Sequence, residues 1–403
     1  TGLGVALNAA RRGFSVVLLE AADFASGTSS RSTKLLHGGV RYLAQGNVKL
    51  VSEALHERSV LMGIEPHLAQ ALAFVMPIYH YWQIPFYGAG LKIYDALAGS
   101  KALGQTRFLS REATLKALPG VRSQGLVGGI QYWDGQFDDA RFALALAKRL
   151  RELGGLAINY MRVQHIERPS TGAAPHYTIH ALDGLSQSHV VIHASAVVNA
   201  TGVWVDQLRS GLTPQKSHLV SPSQGVHLVL SQDFLPAHQA LLVPKTSDGR
   251  VLFAVPWLGS LVVGTTDTPR SDLPMHPQPF AQELEFLLRE ASHALARPVR
   301  PSDVKSVWVG LRPLVATQGQ DATQTLSREH TIVKDTSGMV TVTGGKWTTY
   351  RVMAQDTMQA CFESGALPHR PFVSAETPRA LTGDPVPLFH APGLHSVSYT
   401  HLT

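Results

Sequence analysis

Residues 24–43 are the part of this 403-residue chain best suited to binding a charged ligand. They contain four serines, two threonines, three glycines, one histidine and three cations. Small hydroxylated residues and glycines let a backbone approach a ligand closely, and Arg and Lys attract negative charge. The segment follows the apolar run 16–19, which ends at the carboxylate of Glu20. A strand, an acid and then a polar loop with glycines is the order found where a dinucleotide lies on a doubly wound sheet.

Glycines at the start of the chain extend this prediction. Gly2 and Gly4 would let the backbone approach a pyrophosphate at a helix N-terminus, and Glu20 would accept a hydrogen bond from a ribose hydroxyl. The alternative is an ordinary strand–turn–helix unit. A later turn at 199–202 and the pair Gly344-Gly345 favour a flavin over a nicotinamide cofactor. The reason is that the ring of a flavin dinucleotide needs contacts far from its adenine.

Cations in segments otherwise made of small or apolar residues predict an anion site. Arg312, for example, stands in the run 309–314, where a charge is costly unless it meets a counter-charge. A phosphomonoester, with a charge of about −2, needs several fixed donors. The alternative for each cation is a structural ion pair with a core carboxylate. Three such cations are among the five that lie at or near the motifs of the family resemblance set out below, which are Arg41, Arg312, Arg328, Lys346 and Arg351.

A histidine is well suited to accept the proton of an alcohol that is being oxidised, because its unperturbed pKa is about 6.5. Among the 19 histidines, the family resemblance set out below points to His227, in the strand-like run 225–229, and His37, before Gly38-Gly39, is the second candidate. Arg312 could instead orient and polarise the oxygen. A histidine on a strand is often purely structural, so these alternatives stay open.

Helical and strand patterns give the elements that must position these groups. Helices are predicted behind the first glycines, over 49–62 and over 141–153. Strands are predicted over 14–19, 176–181, 189–199, 225–230, 250–256, 261–265 and 339–343. The pattern divides a nucleotide-binding domain into the pieces 1–60, 131–215 and 335–365. A strand-rich substrate or cap domain then occupies 61–130 and 216–334.

Composition and charge limit the class of protein. With 44% hydrophobic residues the chain can build well-packed cores, and roughly two or three domains are expected. The net charge of +6 fits nucleic acid, an anionic membrane or a phosphorylated substrate. Nucleic acid is the weakest of the three and is not predicted as a partner, because the cations form no dense run. The single cysteine, Cys361, excludes an internal disulfide and suits a reducing cytoplasm.

The histidines and the aromatic residues are considered as signs of a metal site and of contact with a membrane. The pairs His176/His180 and His189/His193 lie in predicted strands, where residues four apart are about 13 Å apart, so no metal site is predicted. No apolar run reaches the roughly 18 residues that a membrane span needs. Aromatic residues concentrate over 79–87 and at Tyr94, which predicts either contact with a membrane interface or packing within the protein.

Five segments in the same order resemble those of the FAD-dependent glycerol-3-phosphate dehydrogenases, which pass electrons to quinone. Besides 24–43 they are Val198-Asn199-Ala200-Thr201-Gly202-Val203-Trp204, Gly264-Thr265-Thr266-Asp267-Thr268, Gly310-Leu311-Arg312-Pro313-Leu314 and Gly344-Gly345-Lys346-Trp347-Thr348-Thr349-Tyr350-Arg351. The resemblance runs from residue 1 to about residue 365. It implies an α/β fold with a doubly wound, glutathione-reductase-like FAD-binding domain and an inserted antiparallel-sheet substrate domain. It also implies FAD as cofactor, glycerol 3-phosphate as substrate and quinone as acceptor.

The resemblance assigns roles to individual residues. It implies catalytic roles for His227 and Arg312, and a structural role is expected for Arg351. The residues implied to contact the substrate are Arg41, Tyr42, Arg312, Arg328 and Lys346. The residues implied to contact FAD are Gly2, Gly4, Glu20, Thr28, Ser29, Ser30, Ser32, Lys34, Leu36, His37, Gly38, Gly39, Ala200, Thr201, Gly202, Trp204, Gly345, Lys346 and Thr348.

The ends of the chain depart from the family pattern. The chain opens at Thr1-Gly2-Leu3-Gly4 without the first strand and leading glycines, and 366–403 is interpreted as the start of a truncated region with a foreign tail. Three alternatives therefore stay open: an oxidase that uses O₂, an amino-acid oxidase of the same superfamily, and an inactive fragment. A cytoplasmic location is expected, with peripheral attachment to the inner face of the cytoplasmic membrane and a homodimer as further expectations.

Overall fold

The computed structural model describes residues 1–43, 46–168, 177–212, 218–316 and 329–373. For Arg41 it describes the backbone alone. The predicted substrate residue Arg328, His176 and the predicted foreign tail lie outside the described residues. In the parts of the chain that are described, no helix combines the length and the hydrophobicity needed to span a bilayer.

The described residues form eight α-helices and eighteen β-strands. The helices are α1 (Gly2–Arg11), α2 (Val48–Ile64), α3 (Gln83–Ala98), α4 (Arg111–Ala117), α5 (Asp139–Glu152), α6 (Val205–Leu212), α7 (Ala281–Ala294) and α8 (Tyr350–Glu363). The strands are β1 (Val17–Leu19), β2 (Leu35–Leu36), β3 (Ala69–Ile78), β4 (Arg107–Ser110), β5 (Gly128–Phe137), β6 (Leu156–Ile158), β7 (Met161–Glu167), β8 (Tyr177–Asp183), β9 (His189–Ala194), β10 (Val198–Asn199), β11 (Val220–Ser231), β12 (Ala240–Val243), β13 (Leu252–Trp257), β14 (Ser260–Gly264), β15 (Thr268–Pro269), β16 (Ser306–Val315), β17 (His330–Lys334) and β18 (Val340–Gly344).

Two small sheets with parallel pairing accompany α1. β1 pairs with β6 and β10 pairs with β18, both in parallel, and β17 joins β18 in the antiparallel sense. Val5 and Ala9 of α1 recur at helical spacing and pack against Ala354 and Met358 of α8. Gly13, with a φ of +75°, lets the chain turn from α1 towards β1. Helices packed on parallel strands are the arrangement expected of an α/β nucleotide-binding fold.

The largest sheet has ten strands. Its main path runs β15-β11-β14-β13-β12-β3-β5-β2, with β16 paired to β11 and β4 paired to β5. All its pairs are antiparallel except that of β12 with β3. Buried side chains such as Leu228, Leu230 and Val263 form its core with α7. The sheet includes β2 and β5, so it joins segments that the sequence assigned to different domains. The domain limits themselves stay a prediction.

Two of the predicted helices are confirmed, and one of the predicted strands is wrong. α2 and α5 confirm the predicted helices over 49–62 and 141–153. The single strand predicted over 189–199 is wrong, because β9 pairs with β8 in one sheet and β10 pairs with β18 in another. Hydrophobic patterning does not reveal where a chain passes from one sheet to the next. Among the described residues, no group of three His, Cys, Asp or Glu side chains is arranged to hold a metal ion.

Candidate functional site

A cavity of about 610 Å³ opens between the 28–43 segment, the ten-stranded sheet and the 344–348 turn. The predicted site residues that line it are Thr28, Ser32, His37, Gly39, Tyr42, His227, Arg312, Gly345, Lys346 and Thr348. The described predicted residues outside its lining are Gly2, Gly4, Glu20, Ser29, Ser30, Lys34, Leu36, Gly38, Ala200, Thr201, Gly202 and Trp204. The structure therefore gathers both predicted catalytic residues and two predicted substrate residues besides them, Tyr42 and Lys346, around one space.

Asp139, in the first turn of α5, organises the polar loop from behind. Its carboxylate oxygens accept hydrogen bonds from the Ser32 hydroxyl at 2.6 Å and from the Lys34 ammonium at 2.7 Å. Lys34 is buried and also donates to the Ser30 carbonyl. The Lys34 ammonium, which the resemblance assigned to the cofactor, thus neutralises a buried carboxylate and fixes the shape of the loop. Asp139 itself was missed at the level of sequence.

Residues 28–31, in the first half of the polar loop, are hydrogen-bonded to neighbouring segments. The Thr28 hydroxyl donates to the Leu311 carbonyl of β16 at 2.6 Å, and Arg31 donates to the Val309 carbonyl at 3.4 Å. The Trp347 indole N–H donates to the Ser29 carbonyl at 3.0 Å. Because these contacts tie the loop to β16 and to the 344–348 turn, three motifs distant in the sequence share one wall of the cavity.

His227 lies on β11 with its imidazole enclosed. Its Nε2 is 2.8 Å from the Thr33 hydroxyl, and its ring stacks on Trp308 with 5.4 Å between ring centroids. The residue is 2% exposed. Burial, with Arg312 and Lys34 adding positive charge nearby, lowers the pKa of the imidazole well below its usual value. The imidazole is therefore neutral at pH 7, and the same lowered pKa makes it a weaker base than an ordinary histidine.

Arg312 lies on β16, opposite β11. Its Nη2 donates to the Thr265 hydroxyl at 2.9 Å and its Nη1 to the Gln224 carbonyl at 3.3 Å. The Asp267 carboxylate is 3.8 Å from Nη1. Gly225 leaves the space that the guanidinium occupies, since a Cβ there would overlap it. Arg312 is therefore held in a fixed orientation at the cavity wall, which a donor to a developing oxyanion requires.

Lys346 and Tyr42 meet at the other side of the cavity. The Lys346 ammonium lies 4.1 Å from the centroid of the Tyr42 ring. Gly39, between the two, has a φ of +76°, and a Cβ on it would meet both the Tyr42 ring and Lys346. Arg351 instead pairs with Glu57 at 3.4 Å, as expected for a structural residue.

The predicted dinucleotide end is built from the start of α1. A Cβ on Gly2 would lie 3.5 Å from Ala200 Cβ, so the helix N-terminus reaches the 199–202 turn. Gly4 allows close packing on α8, because a Cβ there would lie 2.7 Å from the Tyr350 ring. The Glu20 carboxylate follows β1 and accepts from the Ala22 amide at 3.0 Å. Burial raises the pKa of Glu20, with backbone donors opposing that rise.

The 199–204 turn is held mainly by its own side chains. The Asn199 amide donates to the Val205 carbonyl at 2.9 Å and accepts from the Thr201 hydroxyl at 2.8 Å. Gly202 has a φ of +64°, and the Trp204 indole donates to the Leu273 carbonyl at 3.0 Å. The motif thus makes a rigid turn beside the N-terminus of α1, where an anion would be favoured.

Comparison with known proteins decides the family. The sequence pattern of the FAD dependent oxidoreductase family (DAO) matches residues 1–351. The chain belongs to this family. The resemblance drawn from the five segments is confirmed, and FAD is the cofactor of the family to which the chain belongs. The fold is accordingly the FAD-binding α/β fold.

Relatives of this FAD-dependent oxidoreductase include glycerol-3-phosphate dehydrogenases. It is 42% identical to the mitochondrial glycerol-3-phosphate dehydrogenase of Homo sapiens over 376 residues, which are 90% of this chain and 52% of that protein. The chain thus spans about half the length of the curated relatives it matches. The glycerol-3-phosphate dehydrogenase of Bacillus halodurans complexed with FAD matches with a TM-score of 0.72 at 32% identity, covering 93% of this chain and 64% of that chain.

A more distant solved structure shares the fold alone. The L-alpha-glycerophosphate oxidase of Mycoplasma pneumoniae with FAD bound gives a TM-score of 0.69 at 15% identity, covering 89% of this chain and 91% of that chain. Dehydrogenases and oxidases thus share this architecture.

The residues of this oxidoreductase fit an extended flavin dinucleotide. The N-terminus of α1 at Gly2 and the turn at Gly202 offer backbone donors at one end of the molecule. At the cavity, Gly39 and Gly345 adopt positive φ and leave room where side chains would crowd their neighbours. A Cβ on Gly345 would lie 2.5 Å from the Met353 sulfur.

Proposed function

We propose that this chain carries the catalytic part of an enzyme that oxidises sn-glycerol 3-phosphate to dihydroxyacetone phosphate. The observation that supports this most is the grouping of Arg312, Lys346 and the neutral imidazole of His227 around one cavity. Two cations can hold a phosphomonoester and polarise an oxygen, and a neutral histidine can remove a proton. The names of the relatives support the same substrate.

The cofactor would lie along the polar loop. Gly2 and the 200–204 turn would hold its pyrophosphate, Glu20 its ribose, and residues 28–39 and 345–348 its ring system. When bound, FAD supplies the acceptor for the hydride that leaves C2 of the substrate. Ser32, Lys34 and Asp139 would shape this part of the site, because their hydrogen bonds set the course of the loop.

The phosphate would be bound from the side of Lys346 and Tyr42. A Lys ammonium is a compact point charge that binds phosphate well, and Tyr42 packs against it and keeps it in place. We include Arg41 and Arg328 in this proposal on the family resemblance alone. Arg312, held by Thr265 and Asp267, would face the C2 oxygen and stabilise negative charge there.

The hydroxyl proton would pass to His227. The lowered pKa of its imidazole keeps it neutral and also weakens it as a base, and Thr33, which also lines the cavity, fixes the orientation of the ring through Nε2. His37 lines the same cavity and is the second candidate. Arg312 would instead orient and polarise the oxygen, because a guanidinium in proteins stays protonated.

The electron acceptor would be a quinone. Phe86, Tyr87 and Leu91 of α3 form an apolar side of the cavity, and Trp82 and Phe86 are 61% and 63% exposed. Exposed aromatic residues favour a membrane interface, where an apolar quinone resides. We therefore propose a cytoplasmic protein attached peripherally to the inner face of the cytoplasmic membrane, and keep the homodimer as a prediction. An oxidase that uses O₂ is the second candidate, favoured by the fold shared with a glycerophosphate oxidase.

The test is a visible spectrum of the purified chain with FAD, recorded without oxygen before and after addition of glycerol 3-phosphate. Bleaching of the flavin band is expected, and a yellow protein that does not bleach would overturn the substrate assignment. Glycine as the alternative substrate tests the amino-acid oxidase. A protein that binds no FAD would support the inactive fragment. Comparing peroxide yield with reduction of a quinone analogue then separates the two acceptors.

A further inference from the structure

A buried network of polar side chains ends on the glycine loop of the cavity. The Tyr94 hydroxyl accepts a hydrogen bond from the Gly38 amide at 2.8 Å and donates one to the Asp134 carboxylate at 2.7 Å. Asp134 is paired in turn with Arg58 at 2.9 Å. All three side chains are almost fully buried, with Arg58 and Tyr94 at 1% and Asp134 at 3% exposure.

Such a network is costly to bury, and it fixes the geometry of the groups that are hydrogen-bonded within it. The unpaired charges of Arg58 and Asp134 would each be heavily penalised inside the protein, so the pair stays together and aims the free carboxylate oxygen at Tyr94. The Tyr94 hydroxyl then has its proton committed to Asp134 and its lone pair to the Gly38 amide. Burial and the neighbouring Asp134 raise the pKa of Tyr94 well above its usual value, which keeps that proton in place.

The loop that Tyr94 holds carries Tyr42 and lies against Lys346, the two residues that would bind phosphate. A Cβ on Gly38 would lie 2.5 Å from the Tyr94 hydroxyl, so the backbone approaches the phenol as closely as a glycine permits. The next residue, Gly39, has positive φ and abuts both the Tyr42 ring and the Lys346 ammonium. A displacement of Gly38 would therefore move Gly39 against Tyr42 and Lys346.

We propose that Tyr94 is a positioning residue for the phosphate of the substrate, acting through Gly38–Gly39 on Tyr42 and Lys346. This rests on the proposed function for the identity of the ligand. Tyr94 acts from behind the cavity wall and does not touch the substrate. The residue lies on α3, which also carries the exposed Phe86, so the same helix contributes to the surface and to the site.

The variant that tests the proposal is Tyr94→Phe, with Tyr177→Phe as the matched control. Tyr177 is equally buried and donates to the Ser337 carbonyl at 2.6 Å, in the sheet of β7, β8 and β9. Each variant removes one buried hydroxyl and one or two hydrogen bonds, so a purely structural role would affect both proteins alike. For Tyr94→Phe we expect the KM for glycerol 3-phosphate to rise about fivefold or more while kcat changes less, and for Tyr177→Phe no change in KM.

A second measurement does not depend on activity. Deuterium exchange of the Gly38 amide in the unaltered protein should be slow, because the amide is buried and bonded, and at least about fivefold faster in Tyr94→Phe but not in Tyr177→Phe. A Gly38 amide that exchanges as fast as an exposed loop amide in the unaltered protein would overturn the proposal, as would equal KM values in the two variants. If the unaltered protein does not oxidise glycerol 3-phosphate, the proposed function fails, and the exchange experiment alone decides whether Tyr94 holds the loop.

Discussion

Thr33 and His227 are separated by 194 positions in the sequence, yet the threonine hydroxyl lies 2.8 Å from the imidazole Nε2. The pair connects the polar loop to β11 of the ten-stranded sheet. Since Trp308 covers one face of the same imidazole, the ring has one orientation at the cavity wall. The predicted base is thus oriented by two residues for which the sequence predicted no role.

Replacing Thr33 with Val keeps the shape of the side chain and removes the hydroxyl that orients His227. We expect kcat for glycerol 3-phosphate to fall roughly threefold to tenfold, as for the loss of one orienting hydrogen bond. The matched control is Thr178→Val, which breaks a similar contact to His193 in the sheet of β7, β8 and β9. Steady-state kinetics that are equal in the two variants would contradict an orienting role for Thr33.

The depressed pKa of His227 predicts how stability depends on pH. In the unfolded chain the imidazole titrates at about 6.5, whereas in the folded protein it stays neutral to a lower pH. Unfolding therefore takes up a proton below about pH 6.5, and the free energy of unfolding falls as the pH decreases, by at most about 1.4 kcal/mol per pH unit for this group. Urea unfolding at about pH 7.5 and pH 5.5 should show a smaller loss in His227→Gln.

The control for this pH dependence is His189→Gln. His189 is an exposed histidine at the start of β9, so its replacement should leave the pH dependence of the unaltered protein in place. If His227→Gln loses as much stability towards acid as the unaltered protein does, the imidazole is not held neutral by the fold.

The Lys34–Asp139 pair is buried, and breaking it should be costly. In Asp139→Asn the amide can still accept from Ser32, but the Lys34 ammonium is left inside the protein without its counter-charge. We expect the free energy of unfolding to fall by about 3–5 kcal/mol, measured by denaturant titration. Glu363→Gln breaks the exposed pair with Lys334 and should leave the unfolding midpoint unchanged. Similar losses in both variants would mean that burial does not set the strength of the pair.

Gly225 makes room for the Arg312 guanidinium. In Gly225→Ala the new methyl group would overlap that guanidinium, which must then leave its contacts with Thr265 and the Gln224 carbonyl. We expect kcat/KM for glycerol 3-phosphate to fall at least about tenfold. Gly211→Ala in α6 meets open space and should retain the activity of the unaltered protein. Retained activity in Gly225→Ala would show that the orientation of Arg312 does not matter.

Local sequence patterns predicted much of the fold but few of the hydrogen bonds and ion pairs within the site. The helix α1 and the long helices α2 and α5 follow from the spacing of apolar residues, whereas the anion site inferred from cations in apolar runs stays a prediction. The partners of those residues were not readable. Asp139 lies 105 positions from Lys34, and a sequence of this kind does not state which acid a buried lysine meets.

The pKa of His227 also could not be predicted from the sequence. The residue type and the strand around it predicted a candidate base with an ordinary pKa, whereas burial and two cations lower that pKa well below the usual value. Burial of this depth results from strands β11, β14 and β16 coming together, and none of them is adjacent to another in the chain. Long-range pairing thus decides the property that matters most for proton transfer.

The short strand β2 has a mechanical consequence. It continues the polar loop directly into the ten-stranded sheet, with Leu35 and Leu36 in register with Gln136 and Gly135, and the Phe137 amide adds a further bond to the Lys34 carbonyl. A movement that separated the loop from the sheet would have to break the backbone hydrogen bonds between β2 and β5. The part of the cavity wall that this loop forms is therefore fixed to the ten-stranded sheet by backbone hydrogen bonds as well as by side chains.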